Sequence, residues 1–200
     1  MGLTPVWRLR SELGRLLSEH VLLVVDATRA GVTNGPDYAA AAAAMNGNTR
    51  DLAAAMASLF GASGATGFQS LWADHIDAIM AYTAAVVSND AKGKDAAVAK
   101  LKVFANMFAA FLDGATQRRL DSATLVKVLG MHDEMLLRQT DAYAAKQYQQ
   151  AHDIAHTTYA QMFDVAGQFA DAFGATVAAR LPAGGPQTGL GGMAGAVGQH

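Results

Sequence analysis

The sequence has no cysteine, which removes thiolate metal sites, disulfides and cysteine nucleophiles together. Proline is scarce: four in 200 residues, two of them in the last twenty, so none interrupts the chain between Pro36 and Pro182. Charge is thin as well, with 16% Asp, Glu, Lys and Arg and a formal net charge of −2. The one adjacent basic pair, Arg118-Arg119, makes no basic stripe with aromatic neighbours, which argues against nucleic acid as a partner. Long apolar runs are missing too. The aliphatic stretch VLLVV at 21–25 is five residues, against the roughly 20 that a membrane span requires. The opening residues show no charged-then-apolar leader pattern.

What remains is 52% hydrophobic and rich in alanine, a composition that favours helices because Ala loses no side-chain entropy on entering one. The length suits one domain with one core. No segment alternates with period two, so the expected class is all-α. Thr4-Pro5 reads as the cap and first turn of a helix reaching about Gly31. Turns at GVTNGPD and GASGATG bound a second helix, about 36–60, with a weak point at Asn46-Gly47-Asn48. Thr66 and Gln69 form a candidate capping box for a third, 67–89. Three more follow at about 95–113, 122–145 and 147–180. The last of these boundaries, AYAAKQYQQ, has neither Gly nor Pro. Short connections imply antiparallel neighbours, hence a six-helix up-and-down bundle of three helical hairpins over residues 1–180. Residues 181–200 read as a flexible Gly-rich tail.

Three histidines repeat with this layout. His20, His75 and His132 are 55 and 57 residues apart, each in the first helix of a hairpin. Apolar steps of three and four place all three on core-facing seams, and place His152 on the seam of the last helix with His156 on its flank. Counted back from the following turns, His20, His75 and His132 lie at depths agreeing within roughly 5 Å at 1.5 Å per residue. The returning helices cross that level near Met45, Met107 and Met162. The expectation is therefore an interior site for a transition metal, copper or zinc, or for haem, built from His20, His75 and His132 with a methionine assisting. Binding is expected to fall near pH 5 to 6, where ordinary imidazoles protonate. Asp74 and Asp133 read as pointing away from the seam.

His152, Asp153 and His156 form H-D-x-x-H, whose two imidazoles share a helix face and suit a shallower, secondary metal pair. A hydrolytic zinc site there is disfavoured, because Asp is one methylene shorter than the Glu that reaches zinc-bound water. Asp26, Thr28 and Arg29 with Asn48, Arg50 and Asp51 suggest a polar network between the first two helices.

The runs LLSEHVLL, ATRAGV, NTRDLAAAM, LWADHIDAIMAYT and DAYAAKQY resemble a group of secreted bacterial helical proteins. The resemblance implies an all-helical fold and a secreted or cell-surface location, and no activity. LPAGGPQTGLGG is similar to Gly-rich stalks near sortase signals but departs from L-P-x-T-G. The reading is a non-catalytic helical bundle that binds a transition metal or haem through interior histidines, compatible with a homo-oligomer. The alternative is a structural or protein-interaction module whose histidines are satisfied core residues, with a metal-dependent hydrolase as the outsider.

Overall fold

The computed structural model describes residues 6–180; the Thr4-Pro5 cap, the 181–200 tail and His200 lie outside the described residues. Every regular element among the described residues is helical: α1 (Val6–Thr33), α2 (Tyr38–Val87), α3 (Ala91–Ala115), α4 (Ser122–Ala144) and α5 (Tyr148–Ala179). Five helical spans stand where six helices were expected, and the second span is itself two helices merged across Gly61. In the glycine-rich stretch GASGATG only Gly61 leaves the helical region, at φ 77°, ψ −177°, and the helix resumes at once. That conformation is essentially restricted to glycine. No proline there removes a backbone donor, and Thr66 Oγ1 donates to the Ala62 carbonyl as a mid-helix residue, so it does not cap a new helix. α2 is thus two helices joined across Gly61, where the chain doubles back: Tyr38 and Thr83, near its opposite ends, both lie against Gly31. The Asn46-Gly47-Asn48 weak point stays helical as well, because Asn48 is buried and its Nδ2 donates to the Leu16 carbonyl at 2.9 Å.

Each of the four connections closes in the same way. The residues at 35, 90, 118 and 147 donate backbone N–H to the carbonyls of Ala30, Ala85, Asp113 and Ala142, five positions earlier. Before or at that donor stands a left-handed residue: Asn34, Asn89, Gln117 with Arg118, and Lys146. This is the Schellman pattern, which satisfies carbonyls stranded at a helix end. It explains how AYAAKQYQQ turns without Gly or Pro. α4 then opens on Asp121, whose side chain accepts from Thr124 N at 2.8 Å.

Sequential helices pack on one another, α5 returns onto α1, and α4 also reaches α1 and α2. The core is one apolar cluster running from Leu9 to Phe173. Its rows follow the three-and-four steps: Leu13, Leu16 and His20 on α1, Trp72, His75 and Ile79 on α2, Leu125, Leu129 and His132 on α4. The start of α5 departs from expectation. His152 is exposed, as are Tyr148 and Tyr159, and the buried row there begins with Ala151 and Thr158. The small residues let α5 approach its neighbours closely, and that outranks the apolar bulk of the tyrosines.

The expected network between α1 and α2 also takes another form. Arg29 Nε donates to Gln139 Oε1 at 3.1 Å, and Gln139 Nε2 donates to Thr28 Oγ1 at 3.1 Å. Thr28 and Arg29 therefore bond to α4, while Arg50 and Asp51 are exposed.

Candidate metal centre

His20, His75 and His132 meet in the middle of the bundle, one from each of α1, α2 and α4. Their ring centroids are 5.6, 6.0 and 6.2 Å apart, and one nitrogen from each lies within 4.8 Å of the other two. Zinc– or copper–imidazole bonds of about 2.0–2.1 Å put ligand nitrogens roughly 3.5 Å apart. Small side-chain rotations separate the two arrangements. Among the described residues this is the one group of three or more His, Cys, Asp or Glu with metal-holding geometry.

The rings are closed off from water, at 0%, 1% and 2% exposure. Both nitrogens of His20 and of His132, and Nδ1 of His75, have no hydrogen-bond partner. Buried polar groups are nearly always satisfied, so five orphaned nitrogens at one spot call for an explanation. Burial holds the His20 imidazole down to about 3, with repulsion from His132 adding to it. It holds His132 down to about 4. Burial again, then His20 and His132, keep His75 well below the ordinary range. All three are neutral at physiological pH, the state a metal ligand needs.

Asp133 corrects the reading of the sequence. It was expected to face away from the seam, yet it is 4% exposed, and Oδ1 stands 3.5 Å from His75 Nδ1. Burial raises its carboxyl well above the usual range, so it and His75 form a neutral pair. A second stripe carries it: Val126, Gly130, Asp133 and Leu137 follow four-three-four spacing on the side of α4 adjoining α3. That spacing was present in the sequence. Asp74 is exposed, as expected.

Aromatic rings wall the cluster. Trp72 lies 4.8 Å from His20 and 5.4 Å from His75, and Phe104 stacks on His75 at 4.3 Å. Trp72 precedes His75 by one helical turn, so both project from the same face. A cavity of about 30 Å³ adjoins His75 and His132, with Trp72, Phe104 and Met162 in its lining. That volume holds an ion or a water molecule or two, and is far short of the several hundred Å³ of a cofactor pocket.

The methionines part company here. Met162 lines the cavity, Met45 is buried in the core without lining it, and Met107 is 53% exposed on α3. Depth along the axis was counted for Met107 but rotation about it was not, and Phe104 and Phe108 occupy the inner face. His152 and His156 are both exposed and stand outside the cluster, while Asp153 accepts a hydrogen bond from Gln149. No protein-family model, no curated protein and no solved structure matches the chain, so its own residues carry the functional argument.

Proposed function

We propose that this protein binds one transition-metal ion, copper or zinc, non-catalytically through His20, His75 and His132. The observation that carries the reading is the convergence of three neutral imidazoles whose buried nitrogens lack protein partners. Leaving such groups unpaired costs about 1–3 kcal/mol each, and a shared ion would satisfy one orphaned nitrogen of His20 and one of His132 at once. Asp133 supports it, since ligating histidines commonly donate their other ring N–H to a carboxylate. With Nδ1 of His75 turned to Asp133, Nε2 is the nitrogen left for the ion. The small cavity favours a bare ion over haem, and its enclosure leaves no room for a substrate beside the metal. The thioether of Met162 in the same cavity favours Cu(I) as the softer choice. A secreted or surface location is proposed on the sequence resemblance alone.

Elemental analysis of protein purified without a polyhistidine tag tests this directly, followed by titration of the metal-free chain with Cu(I), Zn²⁺ and Co²⁺. One ion per chain, lost in His20→Ala and His132→Ala, is the expected result. The alternative, histidines that only pack helices together, draws on the stacking of His75 with Phe104 and the close approach of His20 to Trp72. It requires no ion at any stoichiometry.

A further inference from the structure

We propose that the groove between α3 and α4 is the passage by which an ion reaches the three histidines, with Asp133 as the positioning residue at its inner end. This rests on the metal reading above. The groove has a volume of about 270 Å³, and Val98, Leu101 and Ala105 of α3 face Val126, Gly130 and Leu137 of α4 across it. Lys102, Asn106 and Glu134 are exposed at its rim. Its inner lining includes Asp133, whose two carboxyl oxygens have no hydrogen-bond partner and one of which lies against His75. One residue thus borders both the groove and the cluster.

Gly130 keeps the groove open. A Cβ built there meets nothing within 4 Å, so an empty space stands where a side chain would project. Glycine within a helix costs about 1 kcal/mol relative to alanine, and nothing packs closely enough here to demand it. A second groove, of about 400 Å³, flanks α3 on its other side beside Asp74, Asp77, Lys100 and Met107. It ends on Phe104, the ring stacked on His75. An apolar ring offers nothing to an ion shedding its water, whereas a carboxyl group offers an oxygen ligand. Of the two grooves, the one bordered by Asp133 has a polar connection to the ligands. Once the ion is seated, Asp133 accepts the Nδ1–H of His75 and fixes the ring.

The test is stopped-flow uptake of Co²⁺ by the metal-free full chain, read by ligand-field absorption, with release to a chelator measured separately. Gly130→Phe fills the groove and is expected to slow uptake and release at least tenfold while Kd stays within twofold of wild type. Asn106→Trp, from the facing helix, narrows the same groove and is expected to act in the same direction. Gly130→Ala and the opposite-groove variant Ala99→Phe are expected to leave both rates unchanged. Asp133→Asn is expected to slow uptake and also to weaken affinity by roughly tenfold. Wild-type rates in Gly130→Phe and Asn106→Trp, with ion binding intact, would overturn the passage and leave the metal site standing. A wild-type chain that takes up no ion overturns both.

Discussion

Asp133 Oδ1 stands 3.5 Å from His75 Nδ1, across the contact between α4 and α2, with both side chains shut away from water. Asp133 also follows His132 directly in the chain, so α4 supplies a candidate ligand and the support of another from consecutive positions. Burial raises this carboxyl, so the folded chain holds its proton at pH values where the unfolded chain, at about 3.9, has lost it. Stability from this group is full below about pH 3.9 and declines as pH rises toward the elevated folded value. Asp133→Asn removes that decline. Thermal melts of the metal-free protein are expected to show a larger gain in Tm for the variant at pH 8 than at pH 5.

The histidines carry the opposite sign. Their folded values, about 3 for His20 and about 4 for His132, lie below the roughly 6.5 of an unfolded imidazole. The unfolded chain therefore binds more protons, and stability falls as pH drops from about 6.5 toward 4, by about 1.4 kcal/mol per unit for each such group. Urea titrations from pH 7 to 4.5 check the slope. Metal affinity of the folded chain should stay nearly flat across pH 5 to 6. The sequence suggested a fall there, but burial has already moved the competing protonation lower.

Replacing His132 by leucine should stabilise the metal-free protein. Both its nitrogens are buried and unpartnered, and an apolar side chain of similar volume removes that penalty. A gain of about 1–2 kcal/mol is expected, raising Tm by roughly 2–8 °C, with loss of ion binding. Calorimetry with and without added metal measures both. A destabilised His132→Leu would indicate that the ring contributes packing that leucine cannot replace.

Gly61→Ala is expected to cost about 1–3 kcal/mol, because φ 77°, ψ −177° is nearly closed to a residue with a Cβ. The cost is one of backbone strain, since a Cβ at Gly61 meets nothing within 4 Å. Chemical denaturation of the variant provides the measurement.

His152→Ala with His156→Ala is expected to leave the interior stoichiometry unchanged, because both side chains are exposed and stand apart from the three-histidine group. Metal content of the double variant decides it.

The histidine cluster was legible because two simple counts converge on it. Steps of three and four place His20, His75 and His132 inward, and residues counted to the next turn place them at one level. Asp133 escaped because one stripe per helix was followed, whereas α4 packs on several neighbours and buries two. Met107 was misplaced for a related reason: depth alone does not say which side of α3 a residue occupies. The break near Gly61 was legible as a composition shift. Its extent was not, because only Gly61 leaves the helical region, and glycines at 64 and 67 lie within the helix that follows it. The first turns of α5 show the limit most clearly, since Ala151 and Thr158 win the interior by being small.

The chain has two tryptophans, and they sit in opposite surroundings: Trp7 is 66% exposed, while Trp72 is buried 4.8 Å from the His20 ring. Emission from an indole in apolar surroundings is blue-shifted relative to one in water, so the two signals separate by wavelength. Co²⁺ held by the imidazoles, being paramagnetic where Cu(I) and Zn²⁺ are not, would darken the blue component and spare the red. The molecule thus carries its own optical gauge of occupancy by such a probe ion, readable without any label.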